Sequence, residues 1–375
     1  MENLQMVQDI LELTAIPVAS RNERAIADVL RKKLEILGLD VEEDHAGALI
    51  GGNTGNLHAI LKGDPAIPAI LFSSHMDRVA NNGNITPVWN KEEHKIYADG
   101  KTILAADDVS GICIILEALR NVQNYHLPHG DIEVVLSVCE EDGVLGSRHF
   151  DFSRCSAKMA FVFDAPGKAG RIIGQAPSKG RITFDIQGRQ AHAGNEPEKG
   201  LNALHVAADL LMHLPDGRIT PETTCNFSIL HAGTSTNVVC GHVELIGELR
   251  STNAHEYEAL CQKMKTTADA IAQKYATTIT ASIHTLYHTF KLEPEEPVVR
   301  IAMNAFKNLG IDTSLERGGG GMDANHFNAH KIAAIGIACG YAKNHTPEEN
   351  LSIDDFINCG EAATEFIKVT AAGNY

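Results

Sequence analysis

Three short segments carry the residues best suited to do chemistry: Ser74-His75-Met76-Asp77, Cys139-Glu140-Glu141-Asp142 and Phe163-Asp164. Each directly follows an apolar, β-rich run, at 69–72, 132–138 and 159–163. Asp107-Asp108 stands just before a helix-like stretch at 109–119. His345 follows the strand-like run 332–338 and its Gly340 turn. In an open α/β sheet, ligands gather outside the carboxyl ends of the strands. Strands that each deliver a His or a carboxylate at that end make a cluster.

The donor set is His75, Asp107, Glu141, Asp164 and His345. Hard carboxylates mixed with imidazole suit Zn, Co or Mn rather than Ca. Five donors exceed what a single zinc takes. They fit two divalent metals, most suitably Zn, if one carboxylate bridges. Two metals roughly 3.5–4 Å apart can activate a shared water and polarise a carbonyl. Glu140, beside Glu141, is placed to act as general base on that water and then to protonate the leaving amine. Asp77 is placed to accept the other imidazole N–H of His75 and fix its tautomer.

The elements that must position these groups fall into two textures. Ser20-Arg21-Asn22-Glu23 has the form of a capping box. Ile26, Val29, Leu30, Leu34 and Leu37 follow at helical spacing up to Gly38. Strands are expected at 48–52 and 57–61. Beyond Asp164, alternation at 180–188 predicts a strand with Ile182, Phe184 and Ile186 on one face. A helix over 200–214, strands at 224–230 and 242–250, a helix over 254–275 and a strand at 277–287 complete a β-α-β-β-α-β order. That order is the split ferredoxin-like pattern. The first texture resumes with a helix over 297–309, the strand 332–338 and a helix over 353–371. The expected fold class is therefore α/β. A mixed-sheet catalytic domain with helices on both faces, residues 1–175 and 291–375, is interrupted by an α+β ferredoxin-like lid at 176–290.

The order HxD, ADD, EED, a strand-end Asp and a late His resembles that of the co-catalytic zinc peptidases of the peptidase T type. Aminoacylases, glutamate carboxypeptidases and succinyl-diaminopimelate desuccinylase share the superfamily. His75, Asp77, Asp107, Glu140, Glu141, Asp164 and His345 match the family's functional positions. The resemblance implies Asp107 as the bridging ligand, with a cis peptide to Asp108, and a lid that dimerises. Gly188-Arg189-Gln190-Ala191-His192-Ala193-Gly194, then Pro197 and Gly200-Leu201-Asn202-Ala203, is similar to the lid signature. There the His, here His192, helps to bind the substrate carbonyl, often in the partner subunit's site. Asn237 and Arg250 match positions that hold substrate or product. The implied activity is that of a tripeptidase-like aminopeptidase on short peptides. An N-acyl-amino-acid deacylase with the same site and a non-catalytic metal-binding protein are the alternatives. Glu140 argues against the latter, because a pseudo-enzyme needs no such carboxylate beside a ligand.

Composition bounds the partners. Lys and Arg number 32 against 48 Asp and Glu, a net charge of −16, which is no footprint for nucleic acid. No apolar stretch approaches the roughly 18 residues of a membrane helix. Met1-Glu2-Asn3-Leu4 opens without the basic and apolar regions of a leader. The eight scattered cysteines include no CxxC and read as reduced thiols of a cytoplasmic protein. Arg317-Gly318-Gly319-Gly320-Gly321 lacks the GK[ST] ending of a phosphate loop and reads instead as backbone approaching substrate. His326 and His330 lack the Glu of a zincin pair.

Overall fold

The computed structural model describes residues 4–80, 83–373 and 375, so the opening Met1-Glu2-Asn3 lies outside the described residues. The chain divides into two compact units. The larger comprises Met1–Ala176 and Phe290–Tyr375, and the inserted one is Pro177–Thr289.

The larger unit is built on a nine-stranded mixed sheet. At its centre four strands run parallel in the order Ile132–Ser137, Ile70–His75, Met159–Ala165 and Ala333–Ala338. All four are buried along nearly their whole length, as strands covered on both faces are. Alternate residues feed two cores. Phe72, Val134, Phe161 and Phe163 face one, beneath the helices Ala106–Tyr125, Pro297–Asn308 and Ile353–Ala372. Leu71, Val135, Ala160 and Val162 face the other, with Phe152 and Phe327. Burying each of these valine, leucine and phenylalanine side chains stabilises the fold by roughly 1.5–3 kcal/mol.

The helix Ala106–Tyr125 is buried on nearly every side over its first three turns. At Gly111 an added Cβ would lie 2.1 Å from the Phe163 carbonyl oxygen, so only glycine lets this helix close on the strand that carries Asp164. A separate four-stranded sheet pairs Tyr341–Ala342 with Asn350–Ser352, which makes the segment between them a hairpin tip. His345 sits on that tip, at φ 63°.

Two local expectations are corrected. Residues 48–52 are not a strand: Ala46–Ile50 forms a short helix that ends on Gly51 at φ 74°, a left-handed cap that stops it after one turn. Ser20 is not a helix cap. The helix Arg24–Ile36 is preceded by Glu23, and a tight turn with Arg21 at φ 69° sends the Ser20 hydroxyl to Asp77 instead.

In the inserted unit the sheet runs Gly217–Arg218, Thr223–Ala232, His242–Ser251, Ser178–Gln187, Ile279–Tyr287, all antiparallel. Leaving aside the two-residue strand, this is the ferredoxin-like order, with the helices Ala203–His213 and Ala254–Tyr275 packed on it. Ile182, Phe184 and Ile186 point into its core. No described helix is long and apolar enough to cross a membrane.

Candidate metal centre

His75 is the last residue of its strand and 1% exposed. Its Nε2 lies 3.2 Å from Asp107 Oδ1 and 3.5 Å from Asp164 Oδ1. On the other edge of the ring, Nδ1 lies 3.0 Å from the Asp77 carbonyl oxygen and 3.3 Å from Asp77 Oδ1. His345 Nε2 lies 2.9 Å from Glu141 Oε1 and 3.2 Å from Asp107 Oδ2. Asp107 therefore turns one oxygen to each histidine. The peptide bond from Asp107 to Asp108 is cis. The structure thus gathers His75, Asp107, Glu141, Asp164 and His345 at one place, from four strand ends or loops and one helix start. Glu140 belongs there as well: one of its oxygens, His75 and Asp164 place donor atoms within 4.8 Å of one another.

The backbone under these groups is held by carboxylates far away in sequence. Asp77 Oδ1 accepts from Glu140 N at 2.8 Å, and Asp77 Oδ2 from Glu141 N at 3.3 Å and Ser20 Oγ at 2.6 Å. Asp77 thus orients the two glutamates as well as the His75 ring. Glu349 is 1% exposed and accepts from Leu104 N and Ala105 N, both at 2.9 Å, and from Asp107 N at 3.0 Å. Asp323 accepts from Ser137 Oγ and Ser147 Oγ, each at 2.5 Å. Asn344 Nδ2 donates to Asp107 Oδ2 at 2.6 Å. Sequence reasoning gave no role to Glu349, Asp323, Asn344 or Asp108. The available signal was position: Asn344 and Glu349 flank His345, Asp323 ends the glycine-rich turn, and Asp108 adjoins Asp107.

Charge is crowded here. Burial, with Asp164 next, holds the Asp108 and Glu140 carboxyls well above the usual range, and burial pushes Asp164 up to about 7. Burial opposes the charged form of Asp107 too, but the bonds to His345 and His75 outweigh it and hold that carboxyl low. The same bonds, to Asp107 and Glu141, raise His345 to about 10. Buried carboxylates outnumber the cations that face them, and a divalent ion is what such a set takes up. The donors therefore fit metal.

A cavity of about 260 Å³ opens on the cluster, lined by Asp107, Glu140, Glu141 and Asp164, by Arg171, Ile173 and Met322, and by Gly318–Gly321. A Cβ added at Gly319 or Gly320 would meet nothing within 4 Å, so this turn leaves room beside the cluster. A second trio, His58, Glu133 and Cys155, is closed: Glu133 Oε1 accepts from Ser156 N, Ser156 Oγ and Ala157 N while Oε2 faces His58. The His330 ring stacks on Phe152.

The other three singled-out residues lie in the inserted unit. His192 is exposed, and its Nδ1 accepts from Gly194 N and Asn195 N, both at 3.1 Å. That leaves Nε2 as the N–H of the neutral ring. Asn237 is its neighbour, since the Asn237 carbonyl accepts from Ala193 N at 3.0 Å. Arg250 is elsewhere. Its Nε donates to Glu248 Oε1 at 2.8 Å, and it stands opposite Lys179. His242, at the far end of the same strand, pairs with Gln187 next to the His192 loop. Eight residues of strand at about 3.3 Å each separate the two ends by roughly 26 Å.

Fold and cluster together define a class, the co-catalytic metallopeptidases that carry an inserted second unit. Comparison with known proteins narrows it. Residues 178–276 match the model of the peptidase dimerisation domain, and residues 56–181 that of peptidase family M28. The chain is 35% identical to YqjE, an uncharacterised protein of Bacillus subtilis, over 98% of both chains. It is 27% identical to peptidase T of Geobacillus kaustophilus, over 92% of this chain and 90% of that one. Among solved structures, aminopeptidase PepT of Bacillus cereus superposes with a TM-score of 0.90 at 34% identity, covering 98% of this chain and 99% of that one. A tripeptidase of Staphylococcus aureus superposes with a TM-score of 0.92 at 30% identity, covering 99% of both. The chain belongs to the peptidase T-like family of metallopeptidases.

Proposed function

We propose that this protein is a two-metal aminopeptidase that hydrolyses short peptides of tripeptide size. The observation that carries the reading is Asp107, whose two oxygens face His75 and His345 separately, as a carboxylate shared by two ions must. Asp164 completes the group on the His75 side and Glu141 the group on the His345 side. Zn suits this donor set best, with Co and Mn compatible. When bound, the ions supply Lewis acidity and lower the pKa of water.

The chain's own groups do the rest. Glu140 takes a proton from the attacking water and returns it to the departing amine. Its carboxyl is buried and lies beside His75 and Asp164, within reach of a water held there. Asp77 keeps the His75 ring oriented and fixes the backbone of both glutamates. The His192 Nε2–H is the donor for the substrate carbonyl oxygen, and Asn237 and Arg250 bind the rest of the substrate. A tripeptide cannot bridge roughly 26 Å of one inserted unit. His192 and Arg250 acting on one substrate therefore calls for two copies, and we assign the inserted unit to a homodimer in which it serves as lid.

The test is hydrolysis of free-amine dipeptides, free-amine tripeptides and N-acetylated amino acids, each with added Zn, Co or Mn and with a chelator. Chelator-sensitive release of the first residue of the tripeptides is the expected result. Cleavage confined to the acylated amino acids would replace the aminopeptidase by a deacylase.

A further inference from the structure

We propose that Glu23, which lies outside the candidate ligand set, is a positioning residue for Glu140. The inference rests on Glu140 being the general base. Glu23 is 0% exposed at the start of the helix Arg24–Ile36. Its Oε1 accepts from Arg21 N at 2.9 Å and, across 116 residues, from Cys139 N at 3.0 Å. Its Oε2 has no hydrogen-bond partner among the described residues. The bond to Cys139 falls on a demanding place. Cys139 has φ 53°, in the left-handed region that a residue with a side chain enters at a cost, and it is the residue just before Glu140. The dihedrals of Cys139 set the direction in which Glu140 and Glu141 leave the strand.

Three successive N–H groups, of Cys139, Glu140 and Glu141, are thus each received by a carboxylate: the first by Glu23, the others by Asp77. Ser20 Oγ closes the clamp on Asp77. The turn 20–23 and the turn after the strand Ile132–Ser137 are one assembly. What Glu23 supplies there is a single acceptor oxygen at a fixed reach. Its charge is not used by any partner of Oε2.

That distinction gives the test. Glu23→Gln keeps the length and an acceptor oxygen but loses the charge. Glu23→Asp keeps the charge but withdraws the oxygen by about one bond length, ~1.5 Å. We expect Glu23→Gln to retain kcat within about 3-fold. Glu23→Asp should lose roughly 10- to 100-fold in kcat with little change in KM, the scale of a misplaced catalytic group. The Co-loaded protein should show an altered visible spectrum for Asp and a wild-type spectrum for Gln, because Glu141 follows in the same turn. Wild-type turnover and spectrum in Glu23→Asp, or equal loss in both variants, overturns the proposal. A purely structural role would lower the melting temperature without moving the spectrum, and that result overturns it too. Wild-type protein inactive on every peptide would sink the aminopeptidase reading, while the spectra still decide the role of Glu23.

Discussion

The two units hold their chemistry in opposite ways. In the larger one the reactive side chains are mostly buried, and what orients them comes from far along the chain: Leu104 N to Glu349 spans 245 residues, Ser137 to Asp323 spans 186 and Glu140 N to Asp77 spans 63. In the inserted unit His192 is fixed by Gly194 and Asn195, Asn237 accepts from Ser235, and Arg250 pairs with Glu248. Those bonds reach two or three residues, and His192 and Asn237 are exposed. A buried, cross-braced set has its orientation settled before substrate arrives. Side chains that are exposed and held by short-range bonds, as His192 and Asn237 are, keep more freedom to adjust to what binds. That difference fits the proposed roles, chemistry in the larger unit and recognition in the inserted one.

The contrast can be broken by experiment. Stripping the metal with a chelator should abolish turnover completely, and Zn, Co or Mn should restore it. Chelator-resistant hydrolysis would take the chemistry out of the larger unit. Glu140→Ala should cost about 10³- to 10⁴-fold in kcat, with metal content unchanged by elemental analysis. Near-normal turnover in that variant removes Glu140 as the base.

His192→Ala should cost about 10²-fold, the scale of one lost donor to a developing oxyanion, and should leave metal content untouched. A one-to-one mixture of inactive Glu140→Ala and His192→Ala chains, refolded together, should regain about a quarter of wild-type activity if each site draws its His192 from the other copy of a two-fold dimer. No recovery would confine His192 to its own chain.

The smallest expected effect concerns acid stability. Burial opposes the charge on Glu133, but bonds from His58, Ser156 and Ala157 outweigh it and bring the carboxyl down to about 2 from an ordinary 4.5. A carboxyl lowered on folding stabilises above its unfolded pKa and loses that contribution as the pH falls through its folded one. Glu133 should therefore contribute up to about 3 kcal/mol near neutrality, all of it lost between about pH 4.5 and pH 2. Melting temperature against pH should flatten in that window for Glu133→Gln. Asp185→Asn, at an exposed His242 pair of the inserted unit, should change it little. An equal response from both would erase the difference between buried and exposed bracing.

The α/β class and the ferredoxin-like insertion were legible because apolar runs change from continuous to alternating at Asp164. A strand buried on both faces reads differently from one buried on a single face. The cluster was legible because the apolar runs of three central strands lead directly into His75, Glu140-Glu141 and Asp164. The bracing was not. Glu349, Asp323 and Glu23 act on backbone N–H groups 116 to 245 residues away or on distant hydroxyls, and no local pattern records such a pairing. Ser20 misled for the same reason. Its spacing to Glu23 is that of a cap, yet its hydroxyl is committed to a carboxylate 57 residues further on. The run 48–52 misled because its apolar residues are too few to separate one helical turn from a short strand.

The strand Ala333–Ala338 enters the large sheet between Met159–Ala165 and Arg171–Ala176, parallel to one and antiparallel to the other. The sheet has a gap until it arrives, and His345 follows it. During synthesis from the amino end, His75, Asp107, Glu141 and Asp164 leave the ribosome while their fifth companion is still some 180 codons away, with the whole inserted unit to be made in between. A nascent or truncated chain thus holds four of the five donors and no closed sheet to set them in. The candidate site is therefore complete only once the chain has been made past position 345.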